Sequence, residues 1–241
     1  MIKIGCCGFP SGMKKYFERF KLVEVQKTFY APPKKETAEK WRSQAPEDFE
    51  FTLKAWQLIT HEPRSPTYKK AGIKIEKDRE KNYGFFRNTE EVFEAWEVTR
   101  SIAKALKSRI VVFQCPSSFK ENDENIENMR NFFNSIERDF VFAWEPRGNW
   151  SLETIAKLCK ELDLIHCIDP FVSELAIKAK LAYFRLHGRG KKKYYYDYTK
   201  DDFVILFKKI EKSEAEEIYC LFNNVYMEKN ALEFAELIQA Q

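Results

Sequence analysis

The stretch LAYFRLHGRGKKKYYYDY, residues 181–198, decides how the chain folds. Its first seven residues alternate: Ala182, Phe184 and Leu186 make one apolar side, and Tyr183, Arg185 and His187 make the other. A period of two is a strand. A strand that is apolar on one side and polar toward its C-terminal end on the other suits a parallel barrel. There the outer residues lie under helices and the inner row ends at the mouth. Two glycines then close the strand, and lysines and tyrosines load the loop that follows. That loop reads either as a nucleic-acid-binding arm or as one wall of an enzyme site.

The same kind of run recurs along the chain, at Ile2–Gly5, Leu22–Gln26, Phe49–Lys54, Ile110–Gln114, Phe140–Glu145, Leu164–Ile168, Leu181–His187 and Ile218–Phe222. Amphipathic, helix-length segments lie between most of them: Lys35–Gln44, Thr89–Leu106, Asn122–Ile136, Ser151–Leu162 and Thr199–Lys212, with Glu228–Gln239 at the end. Ser151 and Thr199 are candidate N-caps. Eight strands alternating with helices in 241 residues predict an α/β fold, a (β/α)8 TIM-type barrel, as one domain over residues 1–241. The competing arrangement is an open doubly wound sheet, but neither G-x-G-x-x-G nor a P-loop pattern is present. Two irregularities stand out. The first βα unit is short, with only Tyr16–Phe20 free for a helix. Residues 55–88, after strand three, form a long charged segment with Pro63 and Pro66, read as an elaborated loop or lid.

Applying the alternation to each strand brings polar groups to the ends of the inward rows: Glu24 and Gln26, Lys54, Gln114, Glu145, Asp169, Arg185 with His187, and Asn223. One such residue is an ordinary buried polar group. Seven strands converging this way would each need a partner inside, which points to a ligand or catalytic site at the C-terminal mouth. His166 falls on the helix side and reads as a core histidine.

Composition narrows the class. The net charge is +4 and the isoelectric point about 8.6, which permits an anionic partner without demanding one. No apolar run approaches the ~20 residues of a membrane span, and the N-terminal MIKIGCCGF lacks a signal-peptide pattern. The expectation is a cytoplasmic protein with no membrane partner, its oligomeric state left open. The six cysteines form no Cys-x-x-Cys pair and read as free thiols.

The blocks VEVQKTFY (23–30), FEFTLKAWQLITH (49–61), VVFQCPSSF (111–119), WEPRGNW (144–150), AYFRLHGR (182–189) and LFNN (221–224) resemble, in order and spacing, the YecE-like family carrying domain of unknown function 72. The resemblance runs over nearly the full chain and implies a barrel. The family's biochemical role is not established. Carried over residue by residue, it points to Glu24, Thr28, Tyr30, Lys54, His61, Gln114, Glu145, Arg147, Asp169, Arg185, His187, Gly188, Asn223 and Asn224. The chain departs from the family pattern at Cys6-Cys7, Phe9, Gln26-Lys27 and Pro146.

The chemistry on offer is acid–base and anion-binding. Glu145, Asp169, His187 and Lys54 are the catalytic candidates. Paired carboxylates can act as acid and base, and His187 titrates near neutrality. Arg147, Arg185 and Arg189 present forked donors for phosphate or carboxylate. Gly188 and Gly190 let backbone N–H groups approach an anion, and Asn223 and Asn224 can both donate. Glu24, Tyr30, His61 and Gln114 complete the ligand-binding set. No metal ligands are assigned; a divalent cation held by carboxylates stays open as a cofactor. The functional expectation is a hydrolase or lyase acting on an anionic, phosphate-bearing substrate, a small molecule or a nucleic acid. The alternatives are a non-catalytic nucleic-acid-binding protein and an enzyme acting on a sugar or glycoside.

Overall fold

In the computed structural model, which describes residues 1–191 and 193–240, eight parallel strands close on themselves in chain order. They are β1 (Ile2–Cys7), β2 (Leu22–Val25), β3 (Glu50–Lys54), β4 (Ile110–Gln114), β5 (Val141–Glu145), β6 (Leu164–Ile168), β7 (Leu181–Leu186) and β8 (Glu217–Phe222). The seam is the β1–β8 pair, in register from Ile2 opposite Ile218 to Cys6 opposite Phe222. The fold is therefore the TIM-type barrel anticipated from the alternation.

The helices are α1 (Met13–Arg19), α2 (Lys27–Tyr30), α3 (Lys35–Gln44), α4 (Gln57–Thr60), α5 (Pro66–Ala71), α6 (Glu90–Ala105), α7 (Asp123–Ser135), α8 (Leu152–Glu161), α9 (Lys200–Lys212) and α10 (Met227–Gln239). The long ones bury one stripe. In α6 that stripe is Val92, Ala95, Trp96, Thr99, Ile102 and Ala103, the i, i+3, i+4, i+7 spacing of an amphipathic helix. It lies on the outward aromatics of the sheet. Trp96 meets Phe142 edge-on at 5.5 Å, and Phe113 meets Phe133 of α7 at 5.1 Å. Ser151 caps α8 by accepting from the Thr154 N–H. Thr199 and Asp202 form a capping box at α9.

The first βα unit is more regular than its sequence suggested. Helix α1 starts at Met13, because Tyr16, Phe17 and Phe20 pack inward while the Lys14-Lys15 pair that masked the pattern stays on the solvent side. The long segment after β3 carries α4, α5 and a 3-10 turn at Glu80–Asn82. The link between β6 and β7 has no helix. Among the described residues, no helix is long and apolar enough to cross a membrane.

The interior is filled by Cys7, Leu22, Ile110, Val112, Ala143, Cys167, Leu181, Tyr183, Tyr219 and Leu221. Tyr183 and Tyr219 stack at 5.6 Å on the barrel axis. Below them, at the N-terminal end, Lys3 pairs with Glu50 at 2.5 Å and Glu217 at 2.8 Å, and Arg109 joins Glu217 at 2.5 Å. That end is plugged, so the barrel opens only toward its C-terminal mouth.

Candidate functional site

The inward rows do end together. Lys54, Gln114, Glu145, Asp169, Arg185, His187 and Asn223 line a cavity of about 1220 Å³ at the mouth, with Tyr30, His61 and Arg147 from the loops. A one-residue slip in any strand would have turned its polar end away. The observed pairings hold every row in place, for example Gln114 opposite Glu145 and Arg185 opposite Leu221.

A chain of charges crosses the floor of this cavity. Arg185, only 1% exposed, has a carboxylate on either side. Its Nε and Nη2 donate to Oε2 and Oε1 of Glu24 at 3.0 and 2.8 Å, and its Nη1 donates to Oε2 of Glu145. Glu24 also accepts from the Tyr183 hydroxyl at 2.9 Å. Taking ions out of water costs several kcal/mol each, and only multiple direct hydrogen bonds offset that. The other oxygen of Glu145 accepts from Arg147, at 2.9 Å from Nε and 2.8 Å from Nη2. Burial alone would push the Glu145 carboxyl up. Arg147 and Arg185 outweigh it and hold the group well below the usual carboxylate range.

The chain continues into a histidine. Nη2 of Arg147 lies 2.6 Å from Nε2 of His187. A guanidinium only donates, so Nε2 accepts and the ring proton is assigned to Nδ1. Nδ1 and the backbone N–H of His187 both donate to Oδ2 of Asp169, at 3.2 and 2.9 Å. Oδ1 of Asp169 accepts from the Phe171 N–H at 3.0 Å. Burial lowers the pKa of His187; Asp169 opposes this without overcoming it, so the ring is neutral. His61 is neutral as well, pushed down to about 3 chiefly by its burial, with the Arg147 charge acting in the same direction.

These contacts revise several expected roles. Glu24 is not on the wall; it is fully buried under the floor and holds Arg185. Glu145 and Asp169 have their oxygens occupied by guanidinium or N–H donors, so they orient neighbours rather than stand ready as a free acid–base pair. Glycoside cleavage requires one protonated carboxyl, and Glu145 is held ionised. Among the described residues no group of three His, Cys, Asp or Glu side chains is placed to hold a metal ion. The thiols of Cys6 and Cys7 are buried and pushed up by that burial, so neither is a ready nucleophile.

Two expected ligand-binding residues lie elsewhere. Arg189 is drawn outward to Asp202 and stacks over the Phe171 ring at 5.0 Å. The side-chain nitrogen of Asn224 is used on the Tyr196 carbonyl and Asn230, both at 2.7 Å. The Gly188 N–H is also committed, to the Tyr198 hydroxyl at 2.8 Å. Its φ of +91° and the Lys193 carbonyl packed against it explain the glycine without an anion. Of the basic run, Lys193 reaches the cavity and Lys192 lies outside the described residues.

Other wall residues escaped the alternation rule because they lie outside the strands, on turns and short helices, where a period of two no longer applies. Tyr194 stands edge-on to His187 at 5.9 Å, with its hydroxyl 3.5 Å from Nη1 of Arg147. Phe29 of α2 puts its ring face 3.3 Å from Nζ of Lys54. Ser117 and Ser118 come from the loop after β4, and Arg64 and Lys70 from the segment after β3.

Residues 9–241 match the model of a protein family of unknown function, DUF72. A curated relative, UPF0759 protein YunF of Bacillus subtilis, is 25% identical over 243 residues, spanning 88% of this chain and 80% of its own. A DUF72 family crystal structure from Enterococcus faecalis superposes with a TM-score of 0.75 at 22% identity, covering 99% of this chain and 98% of that one. Another, from Thermotoga maritima, gives 0.73 at 21% identity and covers 99% of both chains. The solved structures share the fold.

Proposed function

The chain belongs to the DUF72 family of proteins of unknown function, and within it we propose that this member is an enzyme of the hydrolase or lyase class. Its substrate carries a phosphate or similar anion and binds at the barrel mouth. The observation that carries this reading is the Arg147 guanidinium. It is clamped by Glu145 and touched by Tyr194 and His187, yet it keeps 32% of its side chain exposed at the cavity. A guanidinium fixed before the ligand arrives spends little conformational entropy on binding. Arg64, Lys70 and Lys193 add positive charge to the wall, whereas wall residue Glu62 is tied to Arg87.

The same contact supplies a base. In the resting site Arg147 covers Nε2 of His187. A substrate anion that draws the Nη2 edge away frees Nε2 to take a proton from water or substrate, and Asp169 behind Nδ1 steadies the imidazolium that results. Tyr30, Gln114 and Asn223 orient the rest of the molecule. Titration calorimetry of sugar phosphates and nucleoside monophosphates, beside their dephosphorylated forms, tests the reading. The phosphorylated set should bind more tightly, with affinity falling about tenfold or more in Arg147→Gln, as expected when a charge-assisted contact is lost. Equal binding of both sets would sink it.

A second reading, nucleic-acid binding without chemistry, is favoured by one feature. Tyr195 is 71% exposed beside Lys191 and Lys193, which suits base stacking next to phosphate contacts. Affinity for single-stranded DNA that falls steeply with salt and is lost in Tyr195→Ala, but survives Arg147→Gln, would favour it over the enzyme.

A further inference from the structure

Among the described residues, the ionic groups on the floor of the mouth are paired with one another, and Lys54 stands apart from them. Glu24, Arg185, Glu145, Arg147, His187 and Asp169 are joined end to end. Lys54 ends the β3 row beside them, 5% exposed. Among the described residues its Nζ makes no ion pair and no hydrogen bond within the distances that join the others. The face of Phe29 lies 3.3 Å from it. The backbone is pinned, since the Lys54 carbonyl accepts from Thr28 Oγ1 at 2.6 Å. The amine therefore stands on the cavity wall at a fixed height, with an aromatic ring at its back.

We propose that Lys54 is a covalent nucleophile that forms an imine with an aldehyde or ketone substrate bound at the mouth. This rests on the anionic-substrate reading for the ligand's charge, but the carbonyl chemistry is additional to it. The charged groups facing Lys54 are Glu24 from β2, Glu145 from β5, Arg147 from the loop after it, and Arg185 from β7, with His61 from the segment after β3. Glu24 and Glu145 are already bound to arginines, so their charge does little to hold an ammonium. Burial is the largest influence, and the two guanidiniums act in the same direction. Together they lower the Lys54 pKa well below that of an ordinary lysine. A desolvated amine whose free base is favoured in this way is what covalent carbonyl chemistry requires.

The step balances without an outside reagent. The Nζ lone pair adds to the carbonyl carbon as the C=O π pair moves to oxygen. Both amine hydrogens pass to that oxygen, which leaves as water, and the carbon is left doubly bonded to Nζ. Cleavage of the bond next to the C=N carbon then places this protein on the lyase side of the proposed class. Arg147 would hold the anionic end while Gln114 and Asn223 face the carbonyl end.

The test uses the intact protein with glycolaldehyde phosphate or glycolaldehyde and sodium cyanoborohydride, with adducts located by peptide mass mapping. At pH 7 Lys54 should be labelled at least about tenfold faster than Lys70 or Lys193 on the same rim. With cyanoborohydride in excess, so that addition of the free amine limits labelling, its rate should climb less steeply between pH 7 and 9 than that of ordinary lysines, which gain about tenfold per pH unit. If both probes label no faster at Lys54 than at Lys70 and Lys193, or if the Lys54 rate climbs with pH as theirs does, the imine is overturned. Selective labelling by both probes at equal concentration would uphold the imine and remove the phosphate reading. Selective labelling at lower concentrations of glycolaldehyde phosphate upholds both.

Discussion

Replacing Glu145 by Gln keeps the shape and removes one charge from a chain in which every member leans on the next. The wild-type carboxylate serves Arg185 through Oε2 and Arg147 through Oε1. An amide has one acceptor oxygen, and its NH2 faces a guanidinium, donor against donor. The oxygen should stay with Arg185, which has no access to water, and Arg147 is released into the cavity. Removing one partner of a buried ion pair costs about 3–5 kcal/mol, with the lower end expected here because Arg147 can be hydrated. For a chain of this size that corresponds to a fall in Tm of roughly 6–20 °C.

The cost should also depend on pH. Glu145 is held below the ordinary carboxylate range when folded, so its ionised form adds stability above the unfolded value of ~4.3. That contribution is lost as pH falls from there toward the depressed folded value. Urea unfolding of both proteins at pH 7 and at successively lower pH would therefore show a gap that is constant above pH ~5 and narrows below it. A gap under about 1 kcal/mol at pH 7, or one indifferent to acid, would refute the assignment of Glu145 as the ionised centre of the network.

Three other outcomes follow from the same contacts. Lys54→Met should be tolerated or stabilising at pH 7. The unfolded lysine binds a proton that the folded one rejects, so wild-type stability rises with pH by up to about 1.4 kcal/mol per unit until ~10.4; equal unfolding curves for both proteins across pH 7–10 would contradict this. Gly188→Ala must hold a side chain at φ +91° against the Lys193 carbonyl and should cost about 1–3 kcal/mol, visible as a lower Tm. Imidazole nitrogen NMR should find the neutral His187 ring protonated on Nδ1 and titrating below the ordinary histidine value of ~6.5; a ring that charges at or above that value would mean Arg147 does not donate to Nε2.

The alternation in LAYFRLH and its counterparts settled the barrel and the facing of Lys54, Gln114, Glu145, Asp169, Arg185, His187 and Asn223, because the side a strand residue faces depends only on its parity within the strand. The caps at Ser151 and Thr199 were equally local. Tertiary structure decided what those groups do. Arg185 meets Glu24 and Glu145 across the barrel because strands far apart in sequence close into one ring. That meeting turns Glu145 from a candidate acid or base into part of a braced network, and among the described residues it leaves Lys54 as an unpaired neighbour. Arg189 and Asn224 were credible by type, yet Asp202, Tyr196 and Asn230 claim them from elements whose proximity no local pattern encodes. Parity is a property of one strand; pairing is a property of all eight, and a charge acquires its role only when its partner is in place.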